Sequence, residues 1–449
     1  MVKDRQLYWR RLMPRLIVRR SVTAAGIYSS VALGFVATVV AGREFNSLRV
    51  FGDYSTVIYA TSFFQSFFDL TVEEALVKYG FRFVTREDWG LLRSLFRSGF
   101  WFKVTGSVFG GAGMVVFAFL APARLTTALL VASLIPLGQS LEGLAGSTLY
   151  LRSRYDIRSA FLTWSMALRL TGVAVGAHYG LVQAIVGVLA AQLVATASIG
   201  VVGWFAFHRF PQAPREPLGG QRREIATFVA QSSVATGVLA LRGGLAPLLL
   251  GGVTSTAQVG LFKIAQSPQS GFQALSAPAR MVLLTEQTRE WERGHQSAVL
   301  RQVRRYSVIA ALLGIVAVPP LYWAMPHLIG WVYEPRYLGA TNAARLLLLA
   351  AAVQLVVGWT KSLPVTIGRP KLRIWTHGLE TLVVLPLVVV LGAYWGATGA
   401  AAAFLAGMVA FALLWAAIFV RIRPEDVQHP APIAEMAAEE ESEAGMLAR

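Results

Sequence analysis

Apolar runs of about twenty residues recur along this chain, separated by short gaps rich in Lys and Arg. A helix crossing roughly 30 Å of hydrocarbon at about 1.5 Å per residue needs about 20 mostly apolar residues, so these runs read as membrane spans. Twelve are legible, near 21–42, 52–77, 97–120, 125–149, 158–178, 182–207, 225–250, 256–280, 306–326, 342–366, 372–393 and 397–420. They are too long and too continuously apolar for outer-membrane strands, whose signal is a weak alternation over roughly ten residues. Only 14% of the 449 residues are charged, against roughly 25% in soluble domains. The expected fold is an all-α polytopic membrane protein. Cys is absent, which excludes a disulfide scaffold, a thiol nucleophile and thiolate metal sites.

Orientation follows from the basic gaps. One alternating set holds the N-terminus (Lys3 to Arg20), then Lys78–Arg97, Arg152–Arg158, Arg209–Arg223, Arg289–Arg305, Arg369–Arg373, and Arg421 with Arg423. It carries 29 Lys and Arg against 4 in the other set, which is Arg43, Arg49, Arg124 and Arg336. By the positive-inside rule both termini face the cytoplasm, in a plasma (inner) membrane. The net charge of +17 is therefore topological, and no nucleic acid is expected. Residues 1–20 form a basic cytoplasmic segment, in which Leu7–Val18 reads either as an interfacial helix on anionic lipid or as a plain topology signal. Residues 421–449, with their Glu cluster, read as a disordered cytoplasmic tail.

The Pro- and Gly-rich stretch 208–224 separates two halves, 21–207 and 225–420, of six spans each. A shift of 205 residues lays Gly52–Ser62 over Ala257–Ser267, matching Ala60 with Ala265, Ser62 with Ser267 and Phe67 with Phe272. Halves with an even number of spans are parallel repeats, related by an axis along the membrane normal. Such halves rock around a site between them, which makes a transporter the leading class.

Phe51-Gly52-Asp53-Tyr54, the following Ala60–Leu70 and Glu74–Gly80 resemble polysaccharide-biosynthesis membrane proteins. These are O-antigen flippases of the Wzx type, within the MATE-like multidrug/oligosaccharidyl-lipid/polysaccharide (MOP) superfamily. Val259–Ala265 resembles the second-half signature, with Phe262 where Tyr is usual. The resemblance implies two six-helix bundles that open alternately to each membrane face. It also implies a polyprenyl-diphosphate-linked oligosaccharide as cargo, with polysaccharide polymerase and glycosyltransferase machinery as partners.

Charges within the spans mark candidate sites, because an ion in hydrocarbon costs roughly 2.5 kcal/mol or more unless it faces a cavity or a partner. Arg242, followed by Gly243, Gly244 and Pro247, stands first. A helix loosened there exposes backbone N–H groups beside a guanidinium suited to a diphosphate. The alternative is that the span ends early and Arg242 snorkels outward. Lys263 and Lys361 add positive charge from the same half, or else snorkel or pair. Lys103 and Arg169 line the cavity, or pair with Glu142 and Asp69. Asp69 and Glu73, four apart on one helical face, are candidates with Glu142 to couple transport to H⁺ or Na⁺. The plainer reading leaves the first two as part of a cytoplasmic charge cluster with Glu74 and Lys78. The run Phe63, Phe64, Phe67 and Phe68 reads as a packing or lipid-facing surface, along which a polyprenyl tail could also lie.

No Gly-x-x-x-x-Gly-Lys-[Ser/Thr], His-Glu-x-x-His or Gly-x-Ser-x-Gly is present, and no cofactor or resident metal is expected. Outer loops are short, against a membrane glycosyltransferase or ligase. Two further classes stay open: a MATE-type exporter of cationic molecules, whose cavity should be rich in carboxylates, and a non-transporting scaffold.

Overall fold

The computed structural model describes residues 2–68, 71–275, 287, 291, 296–361, 363–367 and 371–421. The side chains of 2–20, 273–275, 361, 365, 366 and 373 lie outside that description. The described residues contain helices and no strand. In chain order these are α1 (Val2–Glu44), α2 (Leu48–Phe68), α3 (Val72–Thr85), α4 (Trp89–Leu120), α5 (Ala123–Ala132), α6 (Ile135–Leu151), α7 (Tyr155–Tyr179) and α8 (Leu181–His208). They continue as α9 (Gln221–Ala240), α10 (Ala246–Val253), α11 (Thr256–Leu275), α12 (Gln296–Tyr333), α13 (Thr341–Val356), the short α14 (Leu363–Thr366) and α15 (Lys371–Arg421). A π-helical turn, Leu241–Leu245, joins α9 to α10.

Among the described residues nine helical stretches are long and apolar enough to cross a membrane. The stretch Ile374–Arg421 counts twice, because Gly396 (φ 57°, ψ −134°) breaks α15. Helices α2 and α11 supply two more passages, making twelve. These two are the most polar, and their hydroxyls are absorbed locally: Ser55, Thr56 and Thr61 each donate to the carbonyl four residues back. In hydrocarbon that arrangement removes the need for water. The span expected near 52–77 is in fact two helices, α2 and α3. The span expected near 256–280 runs into residues outside the description, as do Asp69 and the tail 422–449. Residues of the basic segment 2–20 are helical and continue into α1. The chain is thus a multi-pass, all-helical membrane protein.

The chain divides into two compact units. One comprises Met1–Phe45 with Phe64–Gly237, the other Asn46–Phe63 with Val238–Arg449. In the first, α7 packs against α1 and α8, and α6 against α4 and α8. Gly172 and Gly187 let α7 and α8 meet at their backbones, since a Cβ on either would meet the other's carbonyl. Small residues at a crossing are how helices approach closely where no hydrophobic effect drives them together. Gly180 turns between these helices at φ 129°, a left-handed conformation open to Gly. On the side that carries the basic gaps, Tyr79, Phe83, Leu92, Leu151 and Phe210 form a buried cluster. Residues 211–216 are strapped along α4. Arg93 donates to Gln212 Oε1 at 2.8 Å, and Ser94 donates to the carbonyl of Glu216 at 2.5 Å.

In the second unit α13 packs against α11, α12 and α15, around Val303, Trp359, Leu363, Phe411 and Trp415. The segments that the 205-residue shift aligns also cross here. Gly52 of α2 sits against the Thr256–Ala257 peptide, and Gly260 of α11 sits against Gly52. The kink at Gly396 is closed from α11, where Gln258 Oε1 accepts the N–H of Ala397 at 2.8 Å. Large apolar side chains such as Val316 and Trp323 stay exposed on α12, the surface expected against lipid.

The Gly52 crossing yields a test. A Cβ there would overlap backbone, which cannot rotate away, and overpacking costs about 1–3 kcal/mol. Gly52→Val should lower the thermal unfolding midpoint of the detergent-purified protein. The same change at Gly200, which has open space around it, should leave the midpoint nearly unchanged.

Candidate functional site

Two polar clusters lie at membrane depth, one in each unit. The first is a cavity of about 180 Å³ among α2, α3, α4, α6 and α7. Its shape follows from helical spacing. On α4, Lys103, Gly106 and Gly110 fall on one face, and Gly110 lets that face approach the Phe64 carbonyl of α2. On α6, Pro136, Gln139, Ser140 and Gly143 recur at the same helical interval and form the opposite wall. Glu73 enters from the first turn of α3, where the helix dipole favours a carboxylate. Arg158 enters from the first turn of α7, where the dipole opposes a cation, so it needs an anionic partner.

Both pairs close within this unit. Lys103 Nζ lies 3.0 Å from Glu73 Oε1, with the Lys side chain 7% exposed and the Glu 41%. Arg158 Nη1 lies 3.0 Å from Glu142 Oε1. Gln192 of α8 donates to the other Glu142 oxygen at 3.1 Å and to Thr196 at the same distance. Glu73 rests directly over Gly143, where a Cβ would collide with its carboxylate.

The second cluster centres on Glu380 of α15, whose side chain is 2% exposed. Arg242, from the π-turn, pairs with Glu380 Oε1. His377, three residues before Glu380, meets Oε2 at 3.1 Å and stacks on Phe411 with ring centroids 5.0 Å apart. Thr381 donates to the carbonyl of His377 at 2.8 Å. The π-turn has an identifiable cause. Pro247 lacks the N–H that an α-helix would present to Gly243, and a π-turn absorbs the mismatch. Gly244 within the turn packs against Phe63, where a side chain would clash. Such turns occur often at functional sites. Gln354, Thr360 and Met408 help to enclose a cavity of about 10 Å³ beside this cluster, roughly one water.

The residues singled out in the sequence fall as follows. Lys103, Glu73 and Glu142 come together in the first cavity, and Arg242 enters the second cluster. Lys263 is not among the residues lining either cavity; its ammonium lies 4.8 Å from the ring centroid of Tyr59, whose hydroxyl donates to Gln266 at 2.6 Å. Arg169 is partly exposed farther along α7, outside the cavity lining. Lys361 closes a 3₁₀ turn, Gly358–Lys361, but its side chain is outside the described residues, as is the whole of Asp69. Phe64 and Phe68 stack at 6.4 Å, and Phe68 forms part of the cavity wall.

Sequence reasoning passed over Arg158, which the charge count treats as a loop cation. It also passed over His377, Gln139 and Gln192. His377 could be found from its three-residue spacing to Glu380, and Gln139 from its place on the face shared with Ser140 and Gly143. Arg345 was also missed. It donates to the carbonyl of Tyr322 at 3.0 Å and lies over that ring at 4.6 Å.

Neither a family model nor a curated protein sequence matches the chain. Solved structures do match it in fold. An inward-facing multidrug-resistance MATE family transporter of the MOP superfamily superposes with a TM-score of 0.66 at 10% identity, covering 90% of this chain and 98% of its own. The lipid II flippase MurJ, in an inward closed conformation, gives 0.66 at 12% identity, covering 88% and 87%. A MOP superfamily transporter from Pyrococcus furiosus, described as having a binding pocket of reversed polarity, gives 0.55 at 12% identity, covering 89% and 95%. At such low identity the likeness establishes the fold: this chain is built as these transporters are.

The buried Arg158–Glu142 pair makes a quantitative prediction. Removing one partner strands the other, at a cost of about 3–5 kcal/mol, whereas replacing both with apolar groups is often nearly neutral. Glu142→Met should destabilise the detergent-purified protein strongly. The double variant Glu142→Met/Arg158→Met should recover much of that loss, giving a large coupling energy in a thermal or chemical unfolding cycle.

Proposed function

We propose that this chain is a flippase. Its two bundles, 21–207 and 225–420, joined by 208–224, rock to carry an anionic polyprenyl-diphosphate-linked oligosaccharide from the cytoplasmic to the outer leaflet. The lipid tail stays in the bilayer, and the chain performs no covalent chemistry on its cargo. The observation that carries this reading is Arg242: a guanidinium deep in an apolar stretch, set in a π-turn and held by a carboxylate that a proton can neutralise. Diphosphate oxygens can take the place of Glu380 at the guanidinium, whose paired donors suit them. The fold shared with MurJ and the resemblance of Phe51–Tyr54 and Val259–Ala265 to Wzx-type flippases support the same direction. The expected setting is a plasma (inner) membrane with both termini cytoplasmic, beside glycosyltransferases and a polymerase.

One observation favours a second reading. The cavity of the first unit brings two carboxylates, Glu73 and Glu142, against two cations, so it is not the excess of positive charge expected for a purely anionic cargo. A MATE-type exporter of small organic molecules, coupled to H⁺ or Na⁺, accommodates that balance.

Proteoliposomes separate the two. The purified protein should move a polyprenyl-diphosphate sugar between leaflets and should not accumulate organic cations. Arg242→Gln/Glu380→Gln keeps the site neutral and removes the charge-assisted contact, worth about 1.5–3 kcal/mol. It should slow translocation about tenfold or more while the protein still folds. Export of cations without glycolipid movement would reject the flippase.

Orientation has its own test, made simple by the absence of Cys. A thiol at Arg215→Cys should react with an impermeant maleimide only after cells are opened. One at the exposed Tyr179→Cys should react in intact spheroplasts. The reverse pattern would invert the proposed topology.

A further inference from the structure

Resting on the flippase reading, we propose that the polar cavity of the first unit is a binding site for a single neutral sugar ring of the cargo. The proposal separates recognition of the glycan from recognition of the diphosphate, which is assigned to Arg242.

Charge is the first argument. Among the described lining residues, Lys103 with Glu73 and Arg158 with Glu142 balance in charge. A net anion would have to displace a carboxylate, and a net cation would have to displace Lys103 or Arg158, each leaving a stranded partner. A neutral ligand avoids both costs. Hydrogen-bonding capacity is the second argument. An ammonium and an ionised carboxylate set donor and acceptor side by side in the Lys103–Glu73 pair, whereas both Glu142 oxygens are already engaged by Arg158 and Gln192. A vicinal diol, which both donates and accepts, matches that arrangement. Gln65 and Gln139 add planar amides of the same dual character, and Phe68 supplies an apolar wall for the C–H face of a ring. The Glu73 side chain remains 41% exposed, so its oxygens are open to a ligand while the pair with Lys103 stays in place.

Size is the third argument. Pockets for drug-sized molecules run about 300–1,000 Å³. The space here is about 180 Å³, enough for one pyranose and too small for a typical multi-ring drug. Gly106, Gly110 and Gly143 are among its lining residues, and Gly143 makes the space that the Glu73 carboxylate occupies.

The test uses the full-length protein in detergent with methyl β-D-glucopyranoside and the methyl glycoside of N-acetylglucosamine as probes. Saturation-transfer NMR should show saturable contact to the ring protons of at least one of them. Gln139→Leu, which keeps volume but removes the amide, should weaken binding about three- to tenfold. Ser107→Phe, which fills the cavity, should abolish the signal. Inorganic diphosphate should still bind both variants as it binds the parent protein. Absence of a saturable glycoside signal from the parent overturns the proposal, as does an undiminished signal in a folded Ser107→Phe protein. Displacement of the glycoside by tetraethylammonium at equal or lower concentration also overturns it, in favour of a cation site. The two readings fail separately. Glycoside binding without lipid translocation rejects the flippase and leaves a sugar site, whereas translocation without glycoside binding rejects this site alone.

Discussion

Neutralisation of buried charge inside each unit is the constraint on which the membrane-embedded architecture depends. An isolated ammonium or guanidinium at bilayer depth is unfavourable by several kcal/mol, and Lys103, Arg158 and Arg242 are each held by a carboxylate from another helix. These contacts join α4 to α3, α7 to α6 and the π-turn to α15. Glu73 fits only because Gly143 has no side chain. Arg242 comes from a turn whose π-helical geometry is tied to Gly243, Gly244 and Pro247. Electrostatics and backbone shape are therefore one problem here: the helices bend or thin out where the charges must meet.

The same economy governs the polar but uncharged groups. Hydroxyls along α2 return their hydrogens to the preceding turn, and Gln258 closes the break at Gly396. Backbone irregularity survives in hydrocarbon only where protein groups satisfy it. The π-turn after Ala240 is such an irregularity within a passage, whereas the break at Gly396 connects two passages and is capped by the Gln258 amide.

Much of this was legible in the sequence because hydropathy accumulates along the chain. The apolar passages and the loosening around Arg242 follow from local composition, but their ends do not: α12 runs Gln296–Tyr333 where 306–326 is expected, and the span expected near 52–77 is two helices. The 205-residue shift also marks a contact in space, since the aligned starts of α2 and α11 cross at Gly52 and Gly260. Pairing was not legible. Lys103 was weighed as a partner for Glu142 or Asp69, yet it meets Glu73, and Glu142 takes Arg158. Which carboxylate serves which cation depends on helix rotation and depth, and these are set by long-range packing of small residues rather than by spacing along one helix. Arg158 was hidden for a related reason: it sits at a helix start among other loop arginines, and only the fold reveals that it turns inward to Glu142.

Paired charges change what a cargo must supply. On the flippase reading, an anion that takes the guanidinium of Arg242 leaves the buried Glu380 carboxylate without that partner. That state is strongly unfavourable unless a cation or a proton joins the carboxylate. Binding of the anion and binding of the proton are then linked, and linkage is reciprocal: whatever factor the proton adds to anion affinity, the anion adds to proton affinity. The coupling needs no second site and no long-range pathway, because both ligands act on one ion pair. On the proposed flippase reading, the Arg242–Glu380 pair at the π-turn would serve as an exchange point, the cargo anion and the carboxylate competing for one guanidinium.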